Sequence, residues 1–287
     1  DESDHRELVS EDLRQQREKQ RRRWHWRLSA VELIGSAFLT FVGCSTIISL
    51  GSLLNQSSLD QINIGRLLGT AAGHGMMAAA LYFAGFAVAT RVPQNAVSVP
   101  GQEDPWVPVG HFNPAITFAV GVTLRIPLSL AASFFVAQIV GAFIGAGLAA
   151  GLVADADRFD YGLTTANTAA DSGQAFVAET LSSFVLVFLY MVLTARTSVS
   201  SDSKHYIFQL APLLLGFATF VLTAFALPVS GAVFNPFRNF PPALFAGVYE
   251  MQWLFWMGPV LGASAAAIVH RALMPVISSR KRLHRRM

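Results

Sequence analysis

The chain has 287 residues, of which 53% are hydrophobic and only 14% charged. Ordinary soluble domains carry roughly 25% charge, so there are too few polar side chains to cover a water-exposed surface, and a soluble fold is excluded. The formal net charge of +3 hides a segregation: of 21 Lys and Arg, eight fall in residues 1–27 and six in residues 271–287, a pattern expected of arginines flanking outer membrane spans rather than of a nucleic-acid surface.

Residues 1–27 form a basic arm, read as a charged helix that meets the membrane with Trp24 and Trp26 at the interface, where anionic lipid is its simplest partner. A helix that spans a bilayer needs about 20 mostly apolar residues. Leu28–Leu50 is long enough and has Glu32 as its only charge. It follows a charged arm and continues at spanning length, so it is read as a span and not as a cleaved leader. Leu67–Thr90 and Ile126–Ala154 carry no Asp, Glu, Lys or Arg, and Gln174–Ala195 carries only Glu179. Ile207–Ala226 and Met251–His270 bring the expected spans to six. An even number puts both termini on one side, and their basic character predicts that this side is cytoplasmic. The acidic connection 154–173 then lies outside.

Two apolar stretches, Phe112–Leu124 and Phe234–Ala246, are too short to span, and each carries an Asn-Pro pair near its start. Proline suits the first turn of a helix, where its missing N–H costs nothing, and asparagine just before it is a preferred cap. Half-helices are therefore expected over 113–124 and 235–246. Non-helical backbone at membrane depth is tolerated only when buried in protein or lining a water-filled path, so the pair predicts a pore or a binding site.

The halves also repeat. VELIGSAFLTFV (31–42) resembles AETLSSFVLVFL (178–189), with Glu32 falling on Glu179. Residues 28–153 form the first repeat and 174–273 the second, followed by a basic tail over 274–287. Three spans per repeat is an odd number, so the second copy enters the membrane inverted, and such repeats place their site at the midplane, where the half-helix N-termini meet. The expected fold class is an all-α membrane protein with six transmembrane helices and two re-entrant half-helices.

HFNPAITFAVG (111–121) and SGAVFNPFRNFPPALFAG (230–247) resemble the paired Asn-Pro-Ala loops of the aquaporin, or major intrinsic protein, family. AQIVGAFIGAGL (137–148) and WLFWMGPVLGA (253–263) support the resemblance, which covers roughly residues 28–273. It implies a passive channel for water, a homotetramer, no cofactor and no metal. Asn113, Pro114, Ala115, Asn235, Pro236 and Phe237 then stand at the pore's centre. Arg238, the only charge between Lys204 and Glu250, is the arginine of the aromatic/arginine constriction, with His74, Thr223 and Ala232 at its other positions. Glu32 and Glu179 are expected to hold the half-helix loops through backbone N–H groups; the alternative is that they lie near an interface and stay wet. By resemblance Ala243, Asn239 and the Phe255-Trp256 pair disfavour glycerol, while urea, ammonia and hydrogen peroxide stay open as substrates.

Three departures from the family pattern bear on activity. Phe237 stands where alanine is usual, and its ring either turns into the packing or narrows the lumen. Pro241-Pro242 replaces Gly-Pro inside the second half-helix. Residues 91–109 form a long inserted loop, read as a tolerated surface insertion or as a cap on the pore mouth. They motivate an alternative function: a non-conducting or gated protein of this fold that acts as a scaffold or subunit in a membrane assembly. No nucleophile–base pair, metal cluster or phosphate loop suggests an enzyme.

Overall fold

The computed structural model describes residues 2–54, 64–93, 107–152, 161–166, 170–195 and 201–273. Eight helices lie among them: α1 (Glu2–Leu54), α2 (Ile64–Ala89), α3 (Pro114–Val122), α4 (Leu128–Leu152), α5 (Ser172–Leu193), α6 (Ser201–Ala226), α7 (Pro236–Ala246) and α8 (Gln252–Leu273). Six of these, all but α3 and α7, are long and apolar enough to cross a membrane. The two short ones are the half-helices, so the molecule has six spans and two re-entrant segments. Most of the insert 91–109 lies outside the described residues.

The basic arm and the first span are one continuous helix, with no break at Arg27. At 1.5 Å per residue, 53 residues extend to roughly 80 Å, far more than a bilayer requires. Where the arm reaches the apolar part, Trp24 packs on the edge of the core, and the Arg27 guanidinium sits 5.1 Å from its ring centroid.

The spans pack in pairs that follow the repeat. α1 lies against α4 and α5 against α8, while α2 packs on α6 across the two repeats. Lipid offers no hydrophobic drive for helices to associate, so close backbone approach through small residues takes its place. On α4, a Cβ at Gly141 or Gly145 would collide with the Leu33 or Ala37 carbonyl of α1. On α8, Gly262 faces the Thr180 carbonyl of α5 in the same way, and one turn earlier a Cβ on Gly258 would stand 2.9 Å from that of Glu179. The α2–α6 pair is reciprocal: a Cβ on Gly75 would stand 2.8 Å from the Gly216 carbonyl oxygen, and one on Gly216 would stand 2.7 Å from that of Gly75. Farther along α4, a Cβ on Gly147 or Gly151 would meet nothing within 4 Å.

The half-helices tie the repeats together. α3 packs on α4 of its own repeat and on α5 and α8 of the other, whereas α7 packs on α8 and on α1 and α4. They abut each other end to end at their capped N-termini. α7 runs through Pro241 and Pro242 without interruption and ends on Gly247, which takes a left-handed conformation (φ 68°). In the loop between α3 and α4, Arg125 donates to the Met191 carbonyl (3.1 Å) and to the Thr194 carbonyl and hydroxyl at the end of α5. Burial pulls its guanidinium down to about 10, which leaves it charged at neutral pH to cap that helix.

Candidate functional site

Each half-helix is aimed by a buried glutamate. Both Glu32 and Glu179 are fully enclosed, so neither is wet. Ahead of α3 the chain alternates into the left-handed region at Gly110 (φ 82°) and Phe112 (φ 49°); ahead of α7 it does so at Ala232 (φ 57°) and Phe234 (φ 46°), with Gly231 (φ 93°) already there. That alternation turns successive N–H groups toward one point, the concave arrangement that binds anions. Glu32 fills the first such cradle, accepting from the N–H of Gly110 and His111 (2.8 Å each), of Phe112 (2.7 Å), and from Gln138 Nε2 (2.8 Å). Glu179 fills the second, accepting from the N–H of Val233 (2.9 Å) and Phe234 (2.8 Å) and from the Ser230 hydroxyl (2.7 Å). The carboxylates take up backbone donors that would otherwise be stranded in a dry interior.

The asparagines cap and cross-link. Asn113 Oδ1 accepts from the Ala115 N–H (2.8 Å), and Asn235 Oδ1 from those of Phe237 (3.1 Å) and Arg238 (3.3 Å). Their amide nitrogens cross to the opposite loop: Asn113 Nδ2 donates to the Phe234 carbonyl (3.0 Å) and Asn235 Nδ2 to that of Phe112 (2.7 Å). An amide NH₂ has two hydrogens, so one locks the two half-helices together and the other remains for the cavity that both side chains line. Pro114 and Pro236 open the helices, and Ala115 is buried behind the first cap.

A single cavity gathers Asn113, Asn235, His74, Thr223, Ala232 and Arg238, together with apolar groups that include Leu39, Tyr82 and Leu186. It offers about 40 Å³ to water, room for a few molecules at roughly 10–15 Å³ each. Arg238, 3% exposed, is held by neutral oxygens. Its Nη1 donates to the Thr164 hydroxyl (2.8 Å) and, more weakly, to the Gly162 carbonyl and Asn239 Oδ1 (3.3 Å each). Its Nε and Nη2 have no partner among the described residues. Across from it, His74 Nδ1 lies 2.9 Å from the Thr70 carbonyl oxygen. A carbonyl only accepts, so Nδ1 carries the proton and Nε2 of the neutral ring is left as an unpartnered acceptor. The lining of the cavity therefore includes an arginine with unpartnered donors and a histidine with an unpartnered acceptor.

Phe237 is not part of that lining. Its ring packs edge-on against Phe135 of α4 (centroids 6.2 Å apart) and Trp256 of α8 (5.8 Å), in an aromatic row that continues through Phe240 and Phe143.

A model of the major intrinsic protein family matches residues 19–270. The chain belongs to that family. Within it, the chain is 35% identical over 169 residues to a probable aquaporin PIP2-8 of Arabidopsis thaliana, covering 58% of this chain and 60% of that one. It is 37% identical over 172 residues to a probable aquaporin PIP2-8 of Oryza sativa subsp. japonica, covering 58% and 61%. The chain thus spans about three fifths of the length of the curated relatives it matches. Among solved structures, the aquaglyceroporin from Plasmodium falciparum superposes with a TM-score of 0.64 at 17% identity, covering 88% of this chain and 98% of that one, and shows the same fold.

Sequence reasoning did not single out Gly162 and Thr164, which hold Arg238. Their signal was present only as a short polar stretch inside the acidic connection. Asn239 was singled out for selectivity, but the structure gives it a second task. Its Oδ1 accepts from the Thr164 N–H and its Nδ2 donates to the Thr164 carbonyl, both at 3.0 Å, which pins the connection to α7.

Proposed function

We propose that this chain forms a passive channel that conducts water along its gradient and excludes protons and ions. The observation that carries the reading is the convergence of both asparagines and all four constriction side chains on one buried cavity. Two half-helix N-termini direct their positive ends at its middle. A water that accepts from the remaining N–H of Asn113 and Asn235 turns its own hydrogens outward, so it cannot relay a proton along the file. Cations meet both the dipole field and Arg238.

Thr223 and Ala232 leave one wall short, which leaves urea, ammonia and hydrogen peroxide as secondary solutes. Ala243, Asn239 and Phe255-Trp256 argue against glycerol. Both termini are placed on the cytoplasmic side, and the assembly is taken as a homotetramer in a lipid bilayer. The basic ends support the first, and family membership supports the second. The alternative of a non-conducting scaffold loses one of its motives, because the Phe237 ring lies against Phe135 and Trp256.

The test is stopped-flow light scattering of liposomes holding the purified full chain, challenged in turn with sucrose, urea and glycerol. The expected result is fast water efflux with glycerol retained. Efflux no faster than from empty liposomes would leave the scaffold reading.

A further inference from the structure

The cavity is lined along α2 by His74, Ala78 and Tyr82. Their spacing of four residues puts them on one face, and at 1.5 Å per residue Tyr82 stands about 12 Å along the helix from His74. The room for water, about 40 Å³, is spread over that length and leaves little more than a single file. His74 belongs to the constriction with Arg238. Tyr82 lies at the other end, beside Phe112, with ring centroids 6.2 Å apart. Both rings are fixed. Tyr82 is buried and backed by Phe86 (centroids 6.4 Å) and Tyr190 (6.0 Å), and the Tyr190 hydroxyl donates to the Val109 carbonyl (3.3 Å). Phe112 is held through its N–H by Glu32 and through its carbonyl by Asn235 Nδ2. Its ring fills a slot walled by glycines: a Cβ on Gly35 of α1 would collide with it, and one on Gly85 of α2 or on Gly110 would stand 3.4 or 3.2 Å from it.

We propose that Tyr82, seated against Phe112, is a second narrow point in series with the constriction, and that it is the one that selects against polyols such as glycerol. Thr223 and Ala232 are small, so the constriction alone is a weak barrier to a solute broader than water. At the far end a rigid phenol ring narrows the path with a largely apolar wall. A polyol squeezed past it leaves hydroxyls unbonded, which is costly away from bulk water, whereas water needs only the width of one file. Of two barriers in series the higher limits passage, so glycerol is stopped at Tyr82 and not at His74. The inference rests on the channel reading and adds a residue to it.

The experiment compares wild type, Tyr82→Ala, Tyr82→Phe and His74→Ala in liposomes, at equal protein content and with each variant monodisperse. Tyr82→Ala is expected to raise glycerol entry about tenfold while water efflux stays within about twofold of wild type. Tyr82→Phe keeps the ring and should still retain glycerol. His74→Ala widens only the constriction and should gain far less than Tyr82→Ala. Wild-type glycerol entry in Tyr82→Ala, an equal gain in His74→Ala, or free glycerol entry in wild type overturns the proposal. A second readout needs no conduction. Tyr82→Cys in a Cys44→Ser background is exposed to methyl methanethiosulfonate, and modification of the new thiol is expected because position 82 faces the water of the cavity. An inert thiol overturns that placement. If wild type conducts no water, the channel reading fails, and this labelling still decides whether Tyr82 faces the cavity.

Discussion

Around Asn113 the polar side chains close a network on Glu32, whereas around Asn235 the network built on Arg238 leaves two of its nitrogens unbonded. In the first loop Gln138 Nε2 donates to both Glu32 and the Thr117 hydroxyl (2.8 Å each), Thr117 meets His111 Nδ1 (3.0 Å), and the edges of Phe134 and Tyr190 enclose the His111 ring. In the second, among the described residues, Glu179 has only Ser230 as a side-chain donor, and the next charged group, Arg238, keeps two nitrogens unbonded. The repeat has kept one backbone solution, with left-handed residues one and three places before each asparagine, and has divided the work. The first loop is bonded through more side chains, and the second carries the charged group that lines the cavity. An inverted repeat therefore does not require equal chemistry in its halves. It requires equal means of burying a re-entrant chain.

The largest expected effect breaks the anchors. Each buried N–H left without a partner costs about 1–3 kcal/mol. Glu32→Ala strands three loop N–H groups and takes one acceptor from Gln138, and Glu179→Ala strands two and takes the nearer acceptor from Ser230. Thermal unfolding in detergent should show both variants strongly destabilised, Glu32→Ala the more; the reverse order would refute the division drawn here. The two arginines sharpen it. Arg125→Met uncaps the end of α5 and should lose about 1–3 kcal/mol with no change in ion leak. Arg238→Val should keep water flux and admit cations, read as decay of a membrane potential.

Smaller effects follow from packing and backbone. Phe237→Ala opens a gap in the aromatic row and, being half-buried, should cost less than the roughly 3–5 kcal/mol of a fully buried ring. Water flux per folded molecule should be unaltered. A faster flux would mean that the ring narrows the lumen after all. Gly110 and Ala232 occupy matching places with positive φ, where a side chain costs roughly 1–2 kcal/mol. Gly110→Ala should therefore lower the melting temperature, all the more because its Cβ would stand 3.1 Å from the Gly85 Cα. Ala232→Gly should leave the melting temperature nearly level and quicken urea entry in the same vesicle assay.

Much of the architecture was legible in the residues. Run length marked the six spans, and Asn-Pro pairs in runs too short to span marked the half-helices. A lone glutamate in each of two otherwise uncharged spans marked a buried partner waiting to be found. Other features were not legible, because they depend on which segments fold back onto one another. Thr164 and Gly162 reach Arg238 from 74 and 76 residues away, and no local pattern announces that return. The direction of the Phe237 ring is decided by Phe135 and Trp256, on two different helices. Nor could the sequence show that one amide hydrogen of each asparagine closes the junction between the loops, which leaves at most one on each for the cavity. Most of the insert over 91–109, the remaining motive for a gated or silent protein, lies outside the described residues.

The central claim is that one cavity passes water and stops protons. It is tested most directly on a single preparation of liposomes that contain the full chain and an entrapped pH-sensitive dye. Water efflux is followed by light scattering, and proton entry by dye fluorescence under an imposed pH gradient. The account predicts water efflux well above that of empty liposomes, with proton entry at the empty-liposome rate. Water efflux at the lipid rate, or proton entry that rises along with water, would contradict it.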